Sequence, residues 1–193
     1  SNKFYCLGCG GQLIPKMGSI KEWHFAHKVQ INCSAETYLH RLGKEIFIKE
    51  YRECLANNEP FILEVPRAIE CKKCLDDFNV RCPGGNVIED LDLTKHFDVL
   101  EIEKRDNGFR PDIILTSSKS GRKIFIEIAV THRVEQEKID LGEVIVEYSL
   151  NSEEDLQLIR SRKITSGNQK FRLYNLNSKI HINMDLSNTN FCN

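Results

Sequence analysis

The chain has 193 residues, enough for one ordinary domain with a small appendage and a sizeable core. Hydrophobic residues make up 40% and charged residues 28%, the balance of a soluble globular protein. No apolar run approaches the roughly 20 residues of a membrane span, and no signal-peptide pattern opens the chain, so the expectation is a cytoplasmic protein without a membrane partner. The net charge of −1 conceals an uneven spread. Residues 1–53 carry +3, 54–85 carry −1, 86–159 carry −8 and 160–193 carry +5. Basic ends suit a phosphate backbone and an acidic centre suits cations, although basic tails are also often just solvated.

Eight cysteines are many for a cytoplasmic chain, where disulfides are rare, so zinc becomes the better explanation. Cys6-Leu7-Gly8-Cys9 is a CxxC followed by Gly10-Gly11, the form of a zinc knuckle. His24, His27 and Cys33 follow, and three thiolates with one imidazole complete a tetrahedral site. In an extended segment His24 and His27 point to opposite faces, so one of them binds. His27 is favoured, with His24 an alternative ligand or a packing partner. Tyr5–Gln12 and Ile20–Lys28 read as hairpins of a zinc ribbon, an appendage over residues 1–34.

Ser34 is an N-cap without a full capping box, because Thr37 stands where Glu would. Glu36–Cys54 reads as a long helix, with Leu39, Leu42 and Ile46 facing the core. Glu36, His40 and Lys44 share a stripe one turn apart. That stripe is either a solvated ladder or a face that looks into an active site, with Glu36 and then His40 the first candidates. Asn57-Asn58-Glu59-Pro60 breaks the helix, Phe61–Val65 is a strand, and Pro66 ends it. Cys71-Lys72-Lys73-Cys74 and Cys82 give three ligands of a second zinc in a knuckle-like insertion at 69–86. Cys54, His96 and Asp77 are candidates for the fourth, and Cys192 reads as a free thiol.

Phe97–Glu103 is a further strand, followed by the most informative stretch, FRPDIILTSSKSGRKIFIEIAVTHR, Phe109–Arg133. Arg110-Pro111-Asp112 opens an apolar run, a polar turn follows, and a second apolar run carries Glu127 alone. As adjacent antiparallel strands these place Asp112 opposite Glu127. Such a pair repels unless it holds a hard divalent cation through its oxygens, and a magnesium or manganese ion there activates water and stabilises charge on a phosphate. The blander alternative makes Asp112 a turn residue and Glu127 an exposed strand residue. Glu127, however, sits in a strand apolar on both sides, where a lone carboxylate needs a partner. Arg133–Leu141 reads as helical, Gly142 ends it, and Val144–Leu150 is a strand whose Glu147 reaches the same cleft or faces solvent. A short helix starts at Ser152–Asp155, and Lys170–Tyr174 and Lys179–Asn183 read as short strands.

The order PD, spacer, apolar strand with E resembles the PD-(D/E)XK nuclease superfamily. WHFAHK at Trp23–Lys28, Cys33, SAETYLHRLGKE at Ser34–Glu45 and FIEIAVTH at Phe125–His132 narrow this to a resemblance to the competence protein CoiA-like nuclease family, covering most of Tyr5–Leu150. The resemblance implies an α+β or α/β fold with a restriction-endonuclease-like core, a mixed central sheet flanked by helices, over 35–193. It also favours the Cys6, Cys9, histidine, Cys33 zinc set, and implies Glu36 as a further acid at the metal. One position departs from the pattern. The superfamily's lysine, two residues after the strand acid, is here Ala129. Lys138 and Lys44 are the candidate replacement cations, and His132 is either a proton shuttle or a cap for the next helix. The functional expectation is a magnesium- or manganese-dependent endonuclease acting on DNA with structural zinc. The alternative is a non-catalytic nucleic-acid-binding module on a degenerate nuclease fold. A homo-oligomer is compatible with either.

Overall fold

The structure, a computed structural model, describes residues 3–31, 33–70, 76–79, 83–106 and 108–176, and of residues 35–36, 67–70 and 83–86 the backbone alone. The chain begins with three antiparallel strands, β1 (Phe4–Tyr5), β2 (Gln12–Lys16) and β3 (His24–His27). The second expected hairpin arm is shorter than Ile20–Lys28, because Met17–Trp23 forms the connection instead.

Ser34 caps α1 (Ala35–Asn57), its side chain accepting the Thr37 N–H at 3.1 Å. The helix runs one turn beyond the expected Cys54. Asn58 stops it in a left-handed conformation and donates its N–H to the Cys54 carbonyl. Leu39 and Ile46 are buried as expected, with Leu42 packed against the core, and Phe47, Tyr51 and Cys54 extend the same face.

Strands β4 (Ile62–Glu70) and β5 (Pro83–Asp92) pair antiparallel, and β10 (Lys163–Ile164) joins β4 parallel. Pro66 does not end β4. β10 pairs with Ile62 and Leu63, so at Pro66 one side of β4 has no strand neighbour among the described residues, and a missing N–H there costs no ladder bond. Pairing continues through Ala68↔Asn86 and Glu70↔Pro83, so both ends of the expected 69–86 insertion are strand. Cys71, Cys74 and Cys82 lie outside the described residues, as do Lys179–Asn183 and Cys192.

After α2 (Leu93–His96) comes a five-stranded mixed sheet in the order β11-β9-β8-β7-β6. Its strands are β6 (Val99–Ile102), β7 (Ile113–Thr116), β8 (Lys123–Ala129), β9 (Val144–Ser149) and β11 (Phe171–Tyr174). β8 pairs antiparallel with β7 and parallel with β9. The alternation of each strand splits it between two layers. Ile113, Leu115, Ile124, Ile126, Ile128, Val144, Val146 and Tyr148 join the cluster that includes the buried face of α1. Ile114, Phe125 and Ile145 pack on the other side with Val134 and Ile139. The helical segment expected at Arg133–Leu141 shrinks to α3 (Gln136–Ile139); the remainder is loop. A capped 3₁₀ turn at Glu153–Asp155 leads into α4 (Leu156–Arg160).

Gly43 sets how closely α1 lies on the sheet. A Cβ at this position would come within 2.7 Å of Leu150 Cδ1 and 2.9 Å of Ile128 Cγ2. The helix therefore rests directly on the end of β8, with His40 and Lys44 flanking the contact.

Candidate functional site

Two constellations carry chemistry, and α1 connects them. In the first, Cys6, Cys9, His27 and Cys33 present ligand atoms all within 4.8 Å of one another. The knuckle is formed by Cys6 N–H donating to the Gly11 carbonyl and Gly10 N–H donating to the Cys6 carbonyl, both at 2.8 Å, with Gly10 at φ 71°. Cys6 Sγ lies 3.7 Å from Cys33 Sγ, and Cys9 Sγ 3.2 Å from His27 Nε2. Zinc–sulfur bonds near 2.3 Å put neighbouring sulfurs of a tetrahedron about 3.8 Å apart, so the cluster fits a four-coordinate ion. Its electrostatics ask for a cation. Burial raises the Cys6 thiol, but hydrogen bonds from the Cys9 N–H, His27, the Gly8 N–H and Cys33 bring it down to about 6. Burial and the adjacent Cys9 and Cys6 sulfurs push Cys33 up to about 11. The donor set could hold a metal ion and is consistent with structural zinc. His24 is not part of it: its Nδ1 hydrogen-bonds the Glu22 carbonyl at 2.7 Å, on the other face of β3.

Neither Cys54, His96 nor Asp77 joins a second metal cluster among the described residues. Cys54 is fully buried in the core, with its thiol on the Pro60 carbonyl. His96 and Asp77 are exposed.

In the second constellation, the β7–β8 register runs Ile113↔Ile126, and one step back places Asp112 opposite Glu127. The two acids share the floor of a cleft of about 450 Å³, together with His40, His132 and Lys138. Asp112 Oδ2 accepts from the Ile128 N–H at 2.9 Å and meets His40 Nε2 at 3.0 Å, and Oδ1 lies 3.6 Å from Lys44 Nζ. Burial raises this carboxyl, yet the His40 and Ile128 hydrogen bonds and the His40 and Lys44 charges hold it below its ordinary value. Glu127 is 8% exposed and meets Lys138 Nζ at 2.9 Å. Burial pushes its carboxyl up to about 7; Lys138 works against this and the charge of Asp112 adds to it. Each acid thus has its own lysine, and the two lysines approach from opposite sides. Glu36 stands one turn before His40, but its side chain lies outside the described part of the chain.

Two further groups complete the surroundings. Glu103, at φ 48°, pairs with Lys44 at 2.5 Å and with Arg110 at 2.6 Å, and its N–H donates to the Asp112 carbonyl at 3.0 Å. It fixes the backbone of Asp112 and shares Lys44 with it. Glu147 neither enters the cleft nor faces solvent. It is fully buried, accepts the Val134 N–H at 2.7 Å and pairs with Arg172 at 3.3 Å. It thereby anchors the loop that carries His132 and Arg133 past the cleft. The apolar strand around a single carboxylate was its only sequence signal. Nothing local in the sequence marks Glu103, whose partners come from α1 and from the segment before Asp112.

The two constellations meet on the first turns of α1. Cys33 directly precedes the Ser34 cap, and Arg41 Nη1, beside His40 in sequence, donates to the Leu7 carbonyl inside the knuckle at 3.1 Å. Residues 1–36 match the family model described as Competence protein CoiA, N-terminal domain. The match supports a CoiA-like family and covers the segment that holds the Cys and His cluster. No curated protein and no solved structure matches the chain. No helix among the described residues is long and apolar enough to cross a membrane.

Proposed function

We propose that the protein is a magnesium- or manganese-dependent DNA nuclease of the CoiA-like kind. Residues 35–193 would form a restriction-endonuclease-like unit and residues 1–34 a zinc-bound appendage. The observation that carries the reading is the pair Asp112 and Glu127, opposed in register and sunk in one cleft. Two buried acids side by side repel each other, and here each is offset by a lysine rather than by its neighbour. A divalent ion between them would remove that repulsion through hard oxygen ligands. It would supply an activated water and stabilise charge on the phosphate under attack.

The chain's own residues have distinct tasks in this reading. His40 and the Ile128 N–H orient Asp112. Lys138 stands at Glu127, where it could take the place of the lysine absent at Ala129 and meet charge on a bound phosphate. Lys44 is less suited, since Glu103 and Asp112 already occupy it. His132 lines the same cleft within reach of a proton-transfer role. The match of residues 1–36 to a competence protein family supports DNA as substrate and the cytoplasm as the place of action.

Ala129 favours a second reading, a nuclease fold kept for nucleic-acid binding without cleavage. Nicking of supercoiled plasmid with Mg²⁺, Mn²⁺ or EDTA separates the two. Cleavage with metal and none with EDTA is expected. Lys138→Met should slow it by at least about tenfold, and Lys44→Met by less. No cleavage with any divalent ion would favour the binding module, and equal rates for both variants and the parent would remove the role assigned to Lys138.

A further inference from the structure

A second hollow, of about 570 Å³, opens beside the carboxylate cleft at the same end of the five-stranded sheet. The two share Ala129, Val130, His132 and Arg133, so the loop after β8 is their common wall. Register puts the second hollow on the sheet face that carries the acids. Ala129 pairs with Ser149, and Ser149 donates its N–H to the Lys170 carbonyl at 2.8 Å, so the three form one row. Two residues further down the strands, on the same face, the row is Glu127, Glu147 and Arg172.

The chemistry changes across the shared wall. The cleft holds Asp112 and Glu127, whereas no acid lines the second hollow among the described residues. Arg133, Lys170 and Arg172 line it instead, with Ser149, Asn151 and Gln169 as uncharged donors. Arg133 is exposed and pairs with no acid among the described residues. Lys170 meets Asp155 at 2.7 Å and Arg172 meets Glu147 at 3.3 Å, but neither acid is part of the lining. An ammonium has three N–H donors and a guanidinium five, so each keeps donors for a second acceptor. Their side chains are 32% and 30% exposed, enough to reach one. Charged donors without a carboxylate among them fit an oxyanion, and arginine fits phosphate best of all.

We propose that this hollow holds a second phosphate of the nucleic-acid strand whose neighbouring phosphate lies at Asp112 and Glu127, with Arg133, Lys170 and Arg172 as its ligands. The identity of the ligand rests on the nuclease reading; the donor set does not. β11 stands two strand spacings from β8, about 10 Å, the span of about three nucleotides at a rise of about 3.4 Å each. Lys170 and Arg172 belong to the segment 160–193, which carries +5, and the fold brings that segment against the acidic centre of the chain. Ala129 leaves the passage open. It lines both hollows with a single methyl, at the position where the nuclease superfamily that the sequence resembles carries a lysine.

Fluorescence anisotropy of a labelled DNA oligonucleotide of about 16 nucleotides, single-stranded or paired, reads binding to the full chain without magnesium or manganese. Arg133→Ala with Lys170→Gln should weaken binding at least about tenfold and flatten its salt dependence by about 0.7–0.9 in log–log slope, the loss of one phosphate contact. Arg133→Glu alone, an exposed change, should weaken it in the same direction at an unchanged melting temperature, and Lys170→Arg should bind like the parent. Lys119→Ala removes one charge from the exposed turn at the far end of the β7–β8 hairpin and should have little effect. Oligonucleotides with and without a 5′-phosphate identify the source. Equal affinity assigns the hollow to an internal phosphate; a gain that the double variant abolishes assigns it to a strand end. No binding by the parent, a double variant no weaker than Lys119→Ala, or competition by polyglutamate equal to that by DNA would overturn the proposal. Binding lost in the double variant of a parent that never nicks plasmid would count against the cleft's chemistry and not against this site. Binding and nicking both unchanged in the double variant would remove this site and leave the cleft.

Discussion

In β1, β2 and β3 no residue is buried, whereas β7 is buried over Ile113–Leu115, β8 over Ile124–Ala129 and β9 over Val144–Tyr148. The first sheet has four side chains converging on one point instead of a core. The second has a core on both faces and uses it to keep two carboxylates in a place that water would normally dissolve. A metal means something different in each. In the N-terminal sheet it would replace hydrophobic burial as the source of order. In the cleft it would relieve a charge conflict that burial has already imposed. The first sheet should therefore need its ion to fold, and the second should need its ion only to act.

The largest expected effect follows from this contrast. Metal binding to a small site is folding free energy, with apparent values of about 10–16 kcal/mol for zinc peptides. Cys9→Ser, or stripping the metal with a strong chelator, should unfold residues 1–34 and leave the five-stranded sheet cooperative. Limited proteolysis should then cut before Ser34 at least about tenfold faster, with the main thermal transition retained. An unchanged cleavage pattern, or protein purified without chelator that contains no zinc, would show that the sheet holds by other means.

A smaller effect is expected where α1 joins the two regions. Gly43→Val places a branched side chain where one Cβ already falls within 2.9 Å of Ile128. It should cost about 1–3 kcal/mol of stability, read from chemical denaturation, and also weaken metal binding at Asp112, because His40 and Lys44 move with the helix. The N-terminal sheet should be indifferent to it, with zinc content unchanged.

The smallest effect is a pH slope. In the metal-free cleft Glu127 titrates near 7, against an ordinary value of 4.5. Between those values the folded protein holds a proton that the unfolded chain has released, so stability falls as pH rises across that window. Asp112 has the opposite sign: its lowered value contributes stability that is lost only as pH falls below the ordinary carboxylate range. Glu127→Gln should flatten the slope between about pH 4.5 and 7, measured by thermal melts in EDTA. A slope that persists in this variant would assign it to another group.

The two regions also differ in how well the sequence reveals them. Cys6, Cys9, His27 and Cys33 converge as their spacing implies, because knuckles and strand alternation are local rules. The β7–β8 hairpin is equally local, and its register places Asp112 opposite Glu127 with little help from the rest of the fold. Pro66 misleads because its tolerance depends on β10, a strand nearly a hundred residues later. The loop after β8 resists reading for a similar reason. Arg133–Leu141 has helical composition, but Glu147 on the next strand takes the Val134 N–H and holds that backbone out of a helix. Pairings such as Lys44 with Glu103, or Arg172 with Glu147, join residues with no periodic relation, and no pattern in the chain announces them.

The central claim is that Asp112 and Glu127 act together on one divalent ion to cut DNA. The most direct measurement compares the parent with Asp112→Ala and Glu127→Ala in Mn²⁺-dependent plasmid nicking, with DNA binding followed in parallel by fluorescence anisotropy. The account predicts at least about a hundredfold loss of cleavage in each variant, with binding equal or tighter because a negative charge near the phosphate is gone. Parent-like cleavage in either variant, or lost binding with residual cleavage unchanged, would contradict it.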